Sequence, residues 1–478
     1  MSSKNSLDLP EDRLGMLDET GRRKFIYPAK VVGFFRNWRT RFYWVLILIL
    51  LILPWIRINN HQAILLNLPE RRFAFFGITF WAHDGPIIFL FLLLTVASFA
   101  FVTAVWGRIW CGWACPQTVF IDAIYRQIET WIEGNAIERR KLDDGPWNTH
   151  KIMKRSFKWF AYAVVSLIIT HSVLAYFVGS SELSEMMLQP PTEHWTAFLI
   201  AWVTAAIIFI NFGWFREQFC IIACPYGRLQ SVLMDNHSIA VLYDEERGEP
   251  RKSKDVPKDQ QGDCVNCYRC VTVCPTGIDI RRGVQLECIA CTACIDACDE
   301  IMAKVNKPSG LIRYASEAEL AHEPRRMFRP RLALYLIFLS IALIGLVKVV
   351  SSRESLDLSI LRATDSPYTL LPIKDTDPEP LISNHFKLHF HNLEIADARV
   401  QIMLDEVDEK NAIELISPIN PVRVKAGETN RSHLFFKFPM RLTKDTGEMK
   451  VKVVFFFRTK NETVPYVKEF TLVGPREN

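Results

Sequence analysis

Eight cysteines fall in two runs of identical spacing, Cys264, Cys267, Cys270, Cys274 and then Cys288, Cys291, Cys294, Cys298, each reading C-x2-C-x2-C-x3-C. Three thiolates two residues apart can wrap one corner of a 4Fe-4S cubane in a tight loop, and the fourth, three residues on and starting a short helix, points away to a second cluster. On that logic Cys264, Cys267, Cys270 and Cys298 hold one cluster, while Cys288, Cys291, Cys294 and Cys274 hold the other. A zinc ribbon uses two separated CxxC pairs, and a disulfide framework gives no reason for two equal runs. The first run closes as Cys274-Pro275, whereas Cys298 is followed by Asp299, so the second turn is expected to depart from the first without changing the ligation. Two clusters imply that the chain moves electrons.

The other four cysteines form two C-x3-C-P motifs, Cys111 with Cys115 and Cys220 with Cys224, in related surroundings that begin at Trp106-Gly-Arg and Gly213-Trp-Phe-Arg. This is an internal repeat. Positions i and i+4 share one face of a helix, so each pair can offer two thiolates together, with Pro116 or Pro225 breaking the helix behind it. Two such pairs could build a four-sulfur site, and soft thiolates select Cu(I), zinc or iron-sulfur clusters. One pair alone would read as packed free thiols; the repeat beside a ferredoxin-type segment favours redox or metal chemistry. Arg108 and Arg216, close to each pair in sequence, would favour the thiolate or act as membrane anchors.

The composition shows what must position these groups. With 49% hydrophobic residues, Trp 13 and Phe 32, the chain reads as a membrane protein carrying soluble parts. Five apolar stretches approach the roughly 20 residues needed to cross a bilayer as a helix: Trp38 to Ile56, Pro86 to Val105, Trp159 to Val178, Trp195 to Phe215 and Leu332 to Val350. Lysine and arginine crowd the segment before the first stretch (Arg22, Arg23, Lys24, Lys30, Arg36, Arg39, Arg41) and the loop before the third (Arg139, Arg140, Lys141, Lys151, Lys154, Arg155, Lys158). The loop from Gly179 to His194 has none, and only Arg57, Arg71 and Arg72 dissent. By the positive-inside rule the N-terminus and the ferredoxin-type segment are expected in the cytoplasm, and everything after the fifth helix outside. The polar stretch from Met1 to Lys24 has no apolar core, so no cleaved signal peptide is expected. A net charge of +5 without a long basic tract excludes nucleic acid as an expected ligand; no Gly-rich nucleotide fingerprint occurs, so the reductant must be external.

After Ser351 alternation replaces apolar blocks. Phe386 to Phe390, Val400 to Leu404, Leu434 to Phe438, Val451 to Phe457 and Tyr466 to Val473 read as strands of period two. Such a pattern suits an Ig-like sandwich without the inter-sheet disulfide and suggests a docking module. His385, His389 and His391 share one strand face that could bind copper but reads more simply as exposed surface. The same discount applies to Met186-Met187. His171, inside the third stretch, could contact metal or a quinone or simply bond within the bundle.

Taken together, the stretches Gly262 to Arg281, Glu287 to Asp299 and Gly310 to Tyr314, both C-x3-C-P motifs, the five-helix frame and the terminal sandwich resemble the cytochrome c oxidase accessory proteins of the CcoG/FixG/Rdx type, bacterial inner-membrane polyferredoxins. The resemblance covers nearly the whole chain. It implies a multi-domain membrane protein: an α-helical transmembrane bundle, an inserted 2x(4Fe-4S) ferredoxin domain and a C-terminal all-β Ig-like sandwich. The expected order is a cytoplasmic segment over 1–37, four membrane helices with both CxxxCP motifs over 38–250, the ferredoxin domain over 251–320, the fifth helix over 332–350 and a periplasmic sandwich over 351–478. The resemblance implies two 4Fe-4S clusters on the eight cysteines, and copper at Cys111, Cys115, Cys220 and Cys224, where Cu(II) would be reduced to Cu(I) during assembly of a cbb3-type oxidase. Expected partners are a cytoplasmic flavoprotein or ferredoxin as donor, copper ions, oxidase subunits or copper transport and chaperone proteins, and membrane lipid. The alternatives are a quinol-linked relay of an anaerobic respiratory chain and an assembly scaffold whose clusters sense redox state.

Overall fold

A computed structural model describes residues 25–475 apart from 59–60, 70–71, 77, 81–83, 255, 325–328, 353–354, 364–365, 372–379, 395, 406–411, 445 and 460–461. The polar segment 1–24 and Arg71 therefore lie outside the described residues. The chain forms two compact units, one built from 25–57, 62–67 and 85–347, the other from 58–61, 68–84 and 348–475.

Among the described residues five helices are long and apolar enough to cross a membrane: Phe34–Trp55, Gly85–Trp106, Thr149–Val178, Trp195–Phe215 and Pro330–Ser351. The first and third begin well before the apolar stretches read from sequence, and buried charge explains both. At the start of the first helix Asp296 accepts hydrogen bonds from the Phe35 and Arg36 amides at 3.1 and 2.7 Å, satisfying donors that a helix start leaves orphaned. The third helix is capped by the Asn148 side chain, which accepts from Lys151 N at 2.8 Å. Its charged turns point inward, where Lys158 meets Glu133 at 2.8 Å and Arg155 meets it at 3.5 Å. Hydropathy sees only the charge of these residues, not their pairing, so it starts each helix late.

Between the second and third helices the chain runs through the short helices Ile109–Trp113, Pro116–Phe120, Arg126–Glu133 and Ala136–Asp144. Their polar residues build a buried ion network. Glu129 receives Arg216 at 2.6 Å, Arg139 at 2.9 Å and Lys158 at 3.8 Å. Asp122 receives Arg36 and, at 3.1 Å, Arg39, and Arg126 bonds Glu217 at 2.5 Å. Cations that read from sequence as membrane-side markers are thus, in part, interior partners: Arg39, Arg139 and Lys158 are buried.

The ferredoxin-type segment belongs to the same compact unit. Strand Ala240–Tyr243 pairs antiparallel with Ile312–Ala315, bringing the start and end of the segment together over an apolar cluster that includes Val241, Tyr243, Cys264, Cys270, Ile295, Met302 and Ile312. The short Gly310 to Tyr314 stretch therefore closes this fold.

In the other unit a five-stranded sheet (Glu414–Ile416, Thr429–Pro439, Leu381–Asn392, Leu356–Arg362, with Thr369–Leu370 pairing onto the long strand) accompanies a four-stranded sheet (Val422–Val424, Ala398–Leu404, Glu448–Arg458, Thr463–Val473). Burial alternates residue by residue along Leu381–Asn392 and Ala398–Leu404, the period-two signature of strands with one face on a core. The core is aromatic, with Phe386 edge-on to Phe470 at 5.1 Å and Phe436 5.2 Å from Phe470. Phe470→Ala is expected to destabilise the sandwich by about 3–5 kcal/mol, read as a lowered unfolding midpoint of the full chain; an unchanged midpoint would contradict this packing.

Candidate redox site

The two cysteine loops repeat one backbone shape. Asn266 and Tyr268 in the first, and Ala290 and Thr292 in the second, all take positive φ between 51° and 61°. Non-glycine residues rarely adopt this left-handed region, so two turns at matching positions mark loops bent tightly around something central. The third cysteine of each run sits in the first turn of a helix, Arg269–Thr272 or Ala293–Lys304. This corrects the expectation that the fourth cysteine starts the helix. Cys274 follows a single-turn helix and is succeeded by Pro275, whereas Cys298 lies inside a three-turn helix. Proline would break that helix. Asp299 stands there instead and accepts a hydrogen bond from Gly310 N at 2.8 Å, which ties the helix to the closing strand.

Two small cavities result. One is lined by Cys264, Cys267, Cys270 and Cys298 with Tyr243, Met302 and Ile312. The other is lined by Cys274, Cys288, Cys291 and Cys294 with Val241, Ile278 and Ile289, and Cys270 also reaches it. Each cavity offers four thiols in otherwise mostly apolar walls, a donor set suited to a cubane. Burial pushes Cys270, Cys288 and Cys298 up to about 12 and Cys274 to about 11, and Cys294 well above its ordinary range. Such thiols ligate only when bound iron displaces their protons, so loading is coupled to proton release. Arg281 closes one side of the first cavity. It bonds Asp279 at 2.6 Å and Asn266 at 2.7 Å and lies 4.3 Å from the Tyr268 ring.

The bundle cysteines also repeat, but not on one helix face as the i, i+4 spacing suggested. Cys111 lies in the short helix Ile109–Trp113, Cys220 in the π-turn Phe219–Ala223, and Cys115 and Cys224 are extended residues just before the helices that Pro116 and Pro225 begin. In each half the second cysteine amide bonds five residues back, Cys115 N to Trp110 O at 2.9 Å and Cys224 N to Phe219 O at 2.8 Å. These wide turns are the π-type irregularity that often accompanies function. The four sulfurs are near enough to feel one another's charge. Among the described residues no three His, Cys, Asp or Glu side chains converge at the spacing of a single metal ion.

Arg108 acts on Cys111 in the expected direction, favouring its thiolate, but burial outweighs it. Burial pushes the Cys111 thiol up to about 11, against the hydrogen bond from Gln230 (Nε2 to Sγ 3.3 Å) and the Arg108 charge. Burial raises Cys115 and Cys220 as well. Arg216 is spent elsewhere, bonded to Glu129 at 2.6 Å and to Tyr162 OH at 3.1 Å. Sequence proximity showed that it was near, not which way it faced.

The histidines have partners of their own. His171 Nδ1 is 2.8 Å from Leu167 O, one turn back on its own helix, an arrangement internal to the bundle. On the sandwich His385 lies 2.8 Å from His433, a partner on the neighbouring strand that sequence order did not suggest, and His391 bonds Thr429 at 2.7 Å.

A helical membrane frame, a duplicated four-cysteine ferredoxin fold and an Ig-like sandwich define a membrane-bound iron-sulfur electron-transfer protein with two 4Fe-4S clusters. Family models match along the chain: a 4Fe-4S binding domain over residues 88–136, a 4Fe-4S dicluster domain over 215–317 and the IG-like fold at the C-terminal of FixG over 346–475. The chain is 33% identical to protein RdxA of Cereibacter sphaeroides, covering 89% of this chain and 91% of that protein. It is 36% identical to RdxB of the same organism (73% and 76% covered) and 35% identical to the nitrogen fixation protein FixG of Rhizobium meliloti (71% and 72%). The chain belongs to the FixG/Rdx family.

Proposed function

We propose that this protein takes single electrons from a soluble flavoprotein or ferredoxin and delivers them to Cu(II) at Cys111, Cys115, Cys220 and Cys224, supplying Cu(I) for assembly of a cbb3-type oxidase. In this reading Cys264, Cys267, Cys270 and Cys298 hold one 4Fe-4S cluster and Cys274, Cys288, Cys291 and Cys294 hold the other. Bound there, the clusters supply one-electron storage. The polypeptide surrounds them with mostly apolar walls and presents four more thiols in the same compact unit. The observation that carries the proposal is that gathering of four half-buried thiols from two repeated motifs in the same compact unit as the cluster loops. Sulfur ligands favour Cu(I) over Cu(II), so copper seated among them is predisposed to accept an electron. The cytoplasmic side is assigned to the ferredoxin half and the periplasm to the sandwich, where oxidase subunits or copper-carrying proteins would dock.

The test is the double variant Cys111→Ser, Cys220→Ser in purified, anaerobic protein. Cu(II) reduction should fall by a factor of about 100 or more, the usual scale for losing groups that act on the reacting species, while iron and sulfide contents and the dithionite-reduced signal stay at wild-type level. Copper reduction at the wild-type rate would defeat the proposal.

A further inference from the structure

The two C-x3-C-P motifs repeat in sequence but differ at the residue after the first cysteine, Gly112 in one and Ile221 in the other. The first of these turns lies directly against the ferredoxin fold. A Cβ on Gly112 would collide with Ala290 O and lie 2.8 Å from Ala290 C and 3.0 Å from Ile289 O. These are backbone atoms between Cys288 and Cys291, so no side-chain rotation could relieve the clash. The contact is held from several directions. Arg108 donates to Leu286 O and, at 2.9 Å, to Cys288 O. Arg39 donates to Cys291 O, and Tyr43, itself bonded to Arg39, donates to Gly112 O. Trp113 Nε1 donates to Tyr314 OH at 3.0 Å. In the other cysteine loop Cys264 and Cys270 are buried but Cys267 is exposed, whereas Cys288, Cys291 and Cys294 are half-buried.

We propose that the contact between the Cys111–Cys115 turn and the Cys288–Cys291 loop is the outlet of the relay, with Gly112 and Arg108 as its positioning residues, and that electrons enter at the exposed Cys267 of the other loop. The inference rests on the functional reading above and adds an order to it: electrons enter by the loop of the first cysteine run and leave by the loop of the second. Each Cu(II) reduced to Cu(I) takes one electron, ultimately from the soluble donor; the protons of the thiols that bind copper leave when it is seated, before that electron arrives.

The experiment uses full-length protein in detergent, anaerobic and prereduced with dithionite, mixed in turn with Cu(II) and with ferricyanide, a soluble one-electron oxidant that can act at the exposed loop. In Gly112→Ala, cluster reoxidation by Cu(II) should slow about tenfold to a hundredfold, the scale on which about an ångström of misplacement acts, with iron and sulfide contents and the ferricyanide rate unchanged. In Arg108→Gln, amide hydrogen exchange should rise across residues 286–292 and not across 264–270. A wild-type Cu(II) rate in Gly112→Ala, equal slowing with both oxidants, or unchanged exchange in Arg108→Gln would each overturn the junction. If instead the Cys111→Ser, Cys220→Ser protein still reduces Cu(II) normally, the functional reading itself fails and the junction with it, a result distinguishable from the others.

Discussion

Cys274→Ser is expected to remove about half of the bound iron and acid-labile sulfide, and the cluster lost should be the one on the Cys288 loop, not the one on the loop to which Cys274 belongs in sequence. The cavities are the reason: Cys274 lines the space with Cys288, Cys291 and Cys294, and Cys298 lines the other with Cys264 and Cys267. Cys298→Ser should show the reverse. In both variants the remaining cluster keeps all four thiols. Iron and sulfide analysis combined with paramagnetic resonance of the reduced protein reads the outcome, and a Cys274→Ser protein retaining both clusters would refute the crossed assignment. Because burial holds these thiols protonated in the ordinary range of pH, reconstitution must release protons, so cluster loading should weaken as the medium is made more acidic.

Glu129→Gln should destabilise the helical unit by about 3–5 kcal/mol, because it leaves buried cations without their common partner. Glu129 is 1% exposed and is approached by Arg216, Arg139 and Lys158. Burial alone would raise its carboxyl, but these charges, Arg216 foremost, hold it at about 2 against an ordinary 4.5. A carboxylate whose folded value is depressed contributes stability above its unfolded value and loses it as pH falls through the folded one. The gap between wild type and variant should therefore be full above pH 4.5 and narrow toward pH 2. Thermal unfolding of both proteins across that range is the measurement; equal midpoints at neutral pH would show that the network contributes nothing.

Local chemistry was legible wherever the spacing of a few residues fully sets the geometry. The C-x2-C-x2-C-x3-C runs are such a case, since a three-thiolate loop is short enough for its sequence to dictate its shape. So is the strict alternation of Phe386 to Phe390 or Val451 to Phe457, because strand period assigns faces without knowledge of neighbours. The five apolar helices follow from length and hydropathy alone. Strand Leu356–Arg362 is not among the strands expected from sequence although Leu356-Asp-Leu-Ser-Ile alternates; its pairing with Leu381–Asn392 establishes it.

What the residues themselves determined was inventory: twelve cysteines in repeated motifs, two clusters, a membrane frame and a β-sandwich. What only tertiary structure decided was direction. Arg216 turns to Glu129 and not to the thiol four residues along; Lys158 and Arg155 face inward and extend a helix that hydropathy starts later; Asp296 caps a helix that begins more than two hundred residues before it. The C-x3-C pairs open into π-type turns instead of lying on one helix face. Each of these depends on a partner far along the chain, and the energy of a buried charge or a close backbone approach is set by that partner. A linear pattern specifies which groups are present; the field and the space around each exist only once distant segments have packed.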